Sequence, residues 1–95
     1  MQSAIDHMLG LVQEYIDDKK TRSALKANFG YQYSQNLAKM RSEDPVFAEA
    51  MGHYLLDTGI NVGGHLSDGA FKALIRLRYS QLLDTRWEDT YEEYL

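Results

Sequence analysis

Apolar positions recur along this chain with the spacing of a helix face, and the start signals for helices are written between them. From Ser3 they fall at Ile5, Met8, Leu9, Val12, Tyr15 and Ile16, three and four apart, which predicts an amphipathic first helix. Ser3 followed by Asp6 resembles a capping box with a shortened acid, and Asp17–Asp18 marks a break before a second start at Thr21. The second helix is expected to run to about Phe29, to be interrupted at Gly30, and to resume from Tyr31 to Met40 with Tyr33, Leu37 and Met40 inward. Asp44–Pro45 is a further start, because Asp accepts from free amides and Pro is preset for the first helical position. The face that follows is Val46, Phe47, Ala50, Met51, Tyr54 and Leu55, with Gly59 just past its end.

The stretch TGINVGGHLSDG holds four of the seven glycines and reads as the one true loop. Ser67 or Asp68 then caps a helix whose inward face is Phe71, Leu74, Ile75, the stem of Arg78, and Leu82. Thr85 with Glu88 forms another capping box and opens a last helix carrying Trp87, Tyr91, Tyr94 and Leu95. No run shows the strict alternation of a half-buried strand. The expected fold is therefore all-α, a small four- or five-helix bundle in a single domain spanning residues 1–95.

Composition narrows the class. Ninety-five residues leave room for one core, and a chain of this length buries only about 60–65% of the surface its unfolded form exposes. With 44% hydrophobic residues and eleven aromatics it is too apolar for a disordered segment. The absence of Cys excludes disulfide scaffolds and thiolate zinc sites. No stretch is long and apolar enough for a membrane span, and the N-terminus lacks the basic flank of a signal peptide, so a cytoplasmic location is expected.

Charge is the more informative signal. A formal net charge of −4 conceals a segregation: residues 1–18 carry four acids and no base, whereas residues 19–41 carry Lys19, Lys20, Arg22, Lys26, Lys39 and Arg41 and no acid. A second basic block holds Lys72, Arg76 and Arg78, and the segments around both blocks are acidic. Helical spacing would place Lys19, Arg22 and Lys26 on one ridge and Lys72 with Arg76 on another. Between the first ridge and Lys39 lies NFGYQYSQN, whose amides and tyrosines suit hydrogen bonding and stacking to nucleic acid beside phosphate-binding cations. The competing reading is that these bases pair with the acidic segments on a solvated surface.

Catalytic and metal chemistry find no support in the sequence. His53 and Asp57 are four apart, but no HExxH pattern exists, and a surface histidine beside an acid is the commoner arrangement. The glycine-rich loop lacks GK[ST] and follows no strand, and no serine stands in G-x-S-x-G. No enzyme activity, metal or cofactor is expected. The stripe Trp87, Tyr91 and Tyr94 reads as core, with a protein interface as the alternative.

Two stretches resemble the small helical subunit of type I CRISPR surveillance (Cascade) complexes: DDKKTRSALK, Asp17 to Lys26, and RLRYSQLLDTRWEDTYEEYL, Arg76 to Leu95. They cover about thirty residues, and many members of that family are longer between the two patterns. The resemblance implies a non-enzymatic all-α subunit that stacks in copies beside other protein subunits and lines a nucleic-acid path through backbone contacts. Lys19, Arg22, Lys26, Arg76 and Arg78 carry over from the matching stretches; Lys39, Arg41 and Lys72 come from charge alone. The alternative is a small acidic adaptor or inhibitor, phage-encoded in one version, that binds a protein partner.

Overall fold

The structure, a computed structural model, describes the backbone of residues 3–93 and the side chains of residues 3–85. The fold is all-α: α1 spans Ala4–Ile16, α2 Arg22–Glu43, α3 Pro45–Met51, a π-helix Gly52–Ile60, and α4 Asp68–Glu93. Among the described residues there is no strand. None of the described helices is long and apolar enough to cross a membrane. The chain forms two compact units, Met1–Ala48 and Glu49–Leu95.

Four of the predicted starts are in place, each because a side-chain oxygen accepts an otherwise orphaned amide. Ser3 Oγ accepts from Asp6 N at 3.0 Å, Thr21 Oγ1 from Ala24 N at 3.1 Å, Asp44 Oδ1 from Phe47 N at 3.0 Å, and Ser67 Oγ from Ala70 N at 3.2 Å. The expected start at Thr85 is absent. Thr85 Oγ1 instead donates backward to the Leu82 carbonyl at 2.7 Å, and α4 runs through it as one helix.

In the first unit α1 packs against α2. Ile5, Met8, Val12 and Tyr15 of α1 and Leu25, Phe29 and Met40 of α2 are buried. The interruption expected at Gly30 does not occur, and α2 is continuous for 22 residues. A helical Gly costs about 1 kcal/mol relative to Ala, less than burying Phe29 on one side of it and Met40 on the other returns. Tyr33 is inward as expected, its hydroxyl donating to the Ala48 carbonyl at 2.8 Å.

The turn between the two helices closes α1 with a left-handed residue. Asp18 has φ 63°, Asp18 N donates to Tyr15 O at 3.1 Å, and Lys19 N donates to Glu14 O at 2.8 Å, the paired bonds of a Schellman motif. Lys19 therefore lies in this turn and not on a helical ridge with Arg22 and Lys26. The other end of α1 is held from far along the chain. The Glu43 carboxylate accepts from Ala4 N at 2.8 Å and from Ile5 N at 3.0 Å. Those bonds, that from Ile5 foremost, hold the Glu43 carboxyl below its ordinary value of 4.5, with the Ser3 hydroxyl and Lys39 adding to the effect and burial opposing it.

In the second unit the π-helix packs against α4, and Leu55, Ile60, Phe71, Ile75 and Leu82 are buried. Gly59 lies inside this helix rather than beyond a helix end. A Cβ there would stand 2.8 Å from the Tyr54 carbonyl oxygen, five residues back, and 3.5 Å from Ile75 Cδ1. The wide helix thus brings a carbonyl where a side chain would begin, and only Gly fits. Its end is well satisfied: Asn61 N donates to Leu56 O, Gly63 N to Gly59 O, and Thr58 Oγ1 to His53 O at 3.0 Å. Arg78 of α4 donates Nε to the Thr58 carbonyl at 3.0 Å. The loop between π-helix and α4 is accordingly shorter than expected, Asn61 to Ser67. Val46, expected on an inward face, is 67% exposed, since the α3 face turns on Phe47, Ala48 and Met51 instead.

Candidate functional site

The acid-free segment becomes most of one helix, α2, buried on the side of Leu25, Phe29 and Met40 and exposed or half-buried elsewhere. From Lys19 through Ser42 there is no Asp or Glu, and α2 fills nearly all of that interval. At roughly 100° per residue, Asn28, Gln32, Gln35 and Lys39 fall on a single face, with Tyr31 beside Gln35 at its edge. Asn28, Gln35 and Lys39 are exposed, Gln32 is half-buried, and Tyr31 is 65% exposed. Gln32 is fixed by its neighbour, since Asn36 Nδ2 donates to the Gln32 carbonyl at 2.9 Å and to its Oε1 at 3.4 Å. Lys39 also feels the Glu43 carboxylate one turn on, where the acid-free stretch ends.

The same face borders a groove on the α1 side, about 200 Å³ in volume. Its apolar lining is Leu11, Ala24, Leu25 and Phe29. The polar lining is His7, Lys20, Asn28 and Gln32, with no carboxylate among them. Lys20, in the turn before α2, lines this groove, and Lys39 closes the face, roughly 16 Å along the axis from Asn28 at 1.5 Å per residue.

The remaining basic residues distribute differently. Lys26 is exposed but sits roughly 140° around α2 from Lys39, so the ridge of Arg22 and Lys26 and the face ending at Lys39 are separate surfaces. Arg22, Arg41 and Lys72 each interact within the protein. Lys72 and Arg76 lie one turn apart on α4, half-buried and exposed respectively. Arg78 is drawn inward, its Nε on Thr58 O and its Nη1 on Gln81 Oε1 at 2.9 Å, so this guanidinium secures the π-helix. The side chains of Trp87 and Tyr91, and Tyr94 altogether, lie outside the described residues.

Among the described residues no three of His, Asp and Glu gather as metal ligands. His53 meets Tyr54 edge-on, ring centroids 5.1 Å apart. The groove residues that the sequence pattern does not single out are Lys20, His7 and Leu11. Lys20 stands in the basic block, but its place in the lining of a groove depends on how α1 lies against α2. No family model, curated protein or solved structure matches the chain.

Proposed function

We propose that this chain is a non-enzymatic assembly subunit that holds a nucleic-acid strand along α2 through backbone contacts. The observation that carries the reading is the carboxylate-free surface that runs from the groove lined by Lys20 along the α2 face of Asn28, Gln32 and Gln35, with exposed Tyr31 at its edge, to Lys39. Cations there neutralise phosphates, amides add hydrogen bonds, and a tyrosine offers a stacking surface to an unpaired base. The role agrees in kind with what the resemblance to the Cascade small subunit implies, although the residues weighted most differ. A net charge of −4 keeps unaided binding weak, which suits one contact among several in an assembly.

The reading favours a single strand over a duplex, because an exposed tyrosine contributes only where bases are unstacked. Fluorescence anisotropy with labelled single-stranded oligonucleotides of unrelated sequence, at low salt, tests it. Binding should be similar for all sequences, weaker for duplex, and reduced by Tyr31→Ala and by Lys20→Ala. Retention of no oligonucleotide, together with capture of a protein through the acidic surface, would replace this reading with that of an adaptor.

A further inference from the structure

We infer that the groove between α1 and the first half of α2 is a binding site for one nucleobase bearing a phosphate. This deepens the reading of α2 as a strand-binding face and rests on it for the class of ligand. Size comes first. A volume of about 200 Å³ lies below the roughly 300–1,000 Å³ of pockets for drug-sized ligands and cofactors, and accommodates a single heterocycle. The floor suits a flat ring, being formed by Leu11, Leu25 and Phe29, of which Leu25 and Phe29 are buried and therefore fixed in place.

The rim supplies the rest of the chemistry. The side chains of His7, Lys20 and Asn28 line the groove and make no hydrogen bond or ion pair with any described residue. Gln32 Oε1 already accepts from Asn36, which leaves its Nε2 as a donor beside Asn28. Side-chain amides present a donor and an acceptor side by side, the pattern that reads the edge of a base. Lys20 is the permanent cation of the lining and no carboxylate opposes it, so the phosphate belongs at that end. Lys20 also closely precedes the N-terminal end of α2, where the helix dipole favours negative charge. A phosphate on Lys20 and a base against Asn28 and Gln32 would lay the strand from the groove onto the face that ends at Lys39.

The test is a chemical-shift titration of the isotopically labelled full chain with adenosine monophosphate, adenosine, inorganic phosphate and a short single-stranded RNA. The monophosphate should move the side-chain amide signals of Asn28 and Gln32 and the backbone signals of Lys20 and Ala24. Adenosine should bind more weakly at the same residues, and inorganic phosphate should move Lys20 alone. Asn28→Leu should weaken monophosphate binding about fivefold or more without lowering the melting temperature, while Lys26→Ala, off the groove, should leave it unchanged. No movement at the groove with millimolar monophosphate, or the same shifts from phosphate alone, overturns the assignment. If the RNA binds along α2 while the groove signals stay still, the groove assignment fails and the strand-binding reading stands. If the monophosphate seats in the groove and no RNA is retained, the reverse holds.

Discussion

Replacing Gly by Ala at two positions of the second unit should change stability in opposite directions. At Gly59 the added methyl would sit 2.8 Å from the Tyr54 carbonyl oxygen, and that oxygen belongs to the backbone of a packed helix, so the helix itself must move. Forcing a methyl into a packed site costs about 1–3 kcal/mol, and because a backbone oxygen cannot swing aside as a side chain would, the upper part of that range, about 2–3 kcal/mol, applies here. The helix preference of Ala over Gly offsets about 1 kcal/mol of this, leaving a net loss of about 1–2 kcal/mol. For a domain of this size each kcal/mol moves the midpoint by about 4–8 °C, so Gly59→Ala should melt about 5–15 °C below the parent. At Gly69, near the start of α4, nothing lies within 4 Å of the added methyl and no described glycine has a positive φ. Only the backbone preference acts there, and Gly69→Ala should be stabilised by about 0.5 kcal/mol or more, a rise of a few degrees. Thermal melts followed by far-ultraviolet circular dichroism give both values. A Gly59→Ala variant that melts with or above the parent would refute the close approach that defines the π-helix.

Further expectations concern the ends of helices. Because hydrogen bonds to α1 depress the Glu43 carboxyl, its contribution is complete above the ordinary carboxylate value of 4.5 and disappears as pH falls through the lower folded value. Glu43→Gln should therefore melt below the parent at neutral pH and converge with it in acid; a pH-independent difference would contradict this. Arg78→Ala removes charged hydrogen bonds from the half-buried guanidinium to Thr58 O and Gln81, and should cost about 1–2 kcal/mol in urea unfolding while leaving nucleic-acid affinity unchanged. Asp18→Gly relieves the left-handed conformation at φ 63° and should raise stability by about 0.5–1 kcal/mol; a lowered midpoint would contradict a backbone cost at this position.

What was legible in the sequence divides by range. Helix starts at Ser3, Thr21, Asp44 and Ser67 were readable because a cap is a bond between a side chain and an amide three residues on. Gly30 and Thr85 carry the same kind of local signal, but packing along α2 and the backward bond of Thr85 to Leu82 O carry the helix through both. The π-helix left no signature beyond a misplaced Gly59, since its geometry is set jointly with α4 through Ile75 and Arg78. Glu43 reaches α1 across 39 residues, and no local pattern announces such a bond. For the candidate site, the acid-free run and its amides were visible as composition. Which of the cations stand together depended on where the helix begins: Lys19 falls in the turn and leaves the ridge of Lys26, while Lys20, in the same turn, lines the groove beside Asn28 and Gln32.

The salt dependence of single-strand binding tests the central claim most directly. Removing one cation that neutralises a phosphate should flatten the log–log slope by about 0.7 for a single strand. Lys20→Ala and Lys39→Ala should each do so, their double variant should flatten it by about 1.4, and Lys26→Ala, on another face, should leave the slope as it is. Identical slopes for the parent and the double variant would contradict a strand held along α2.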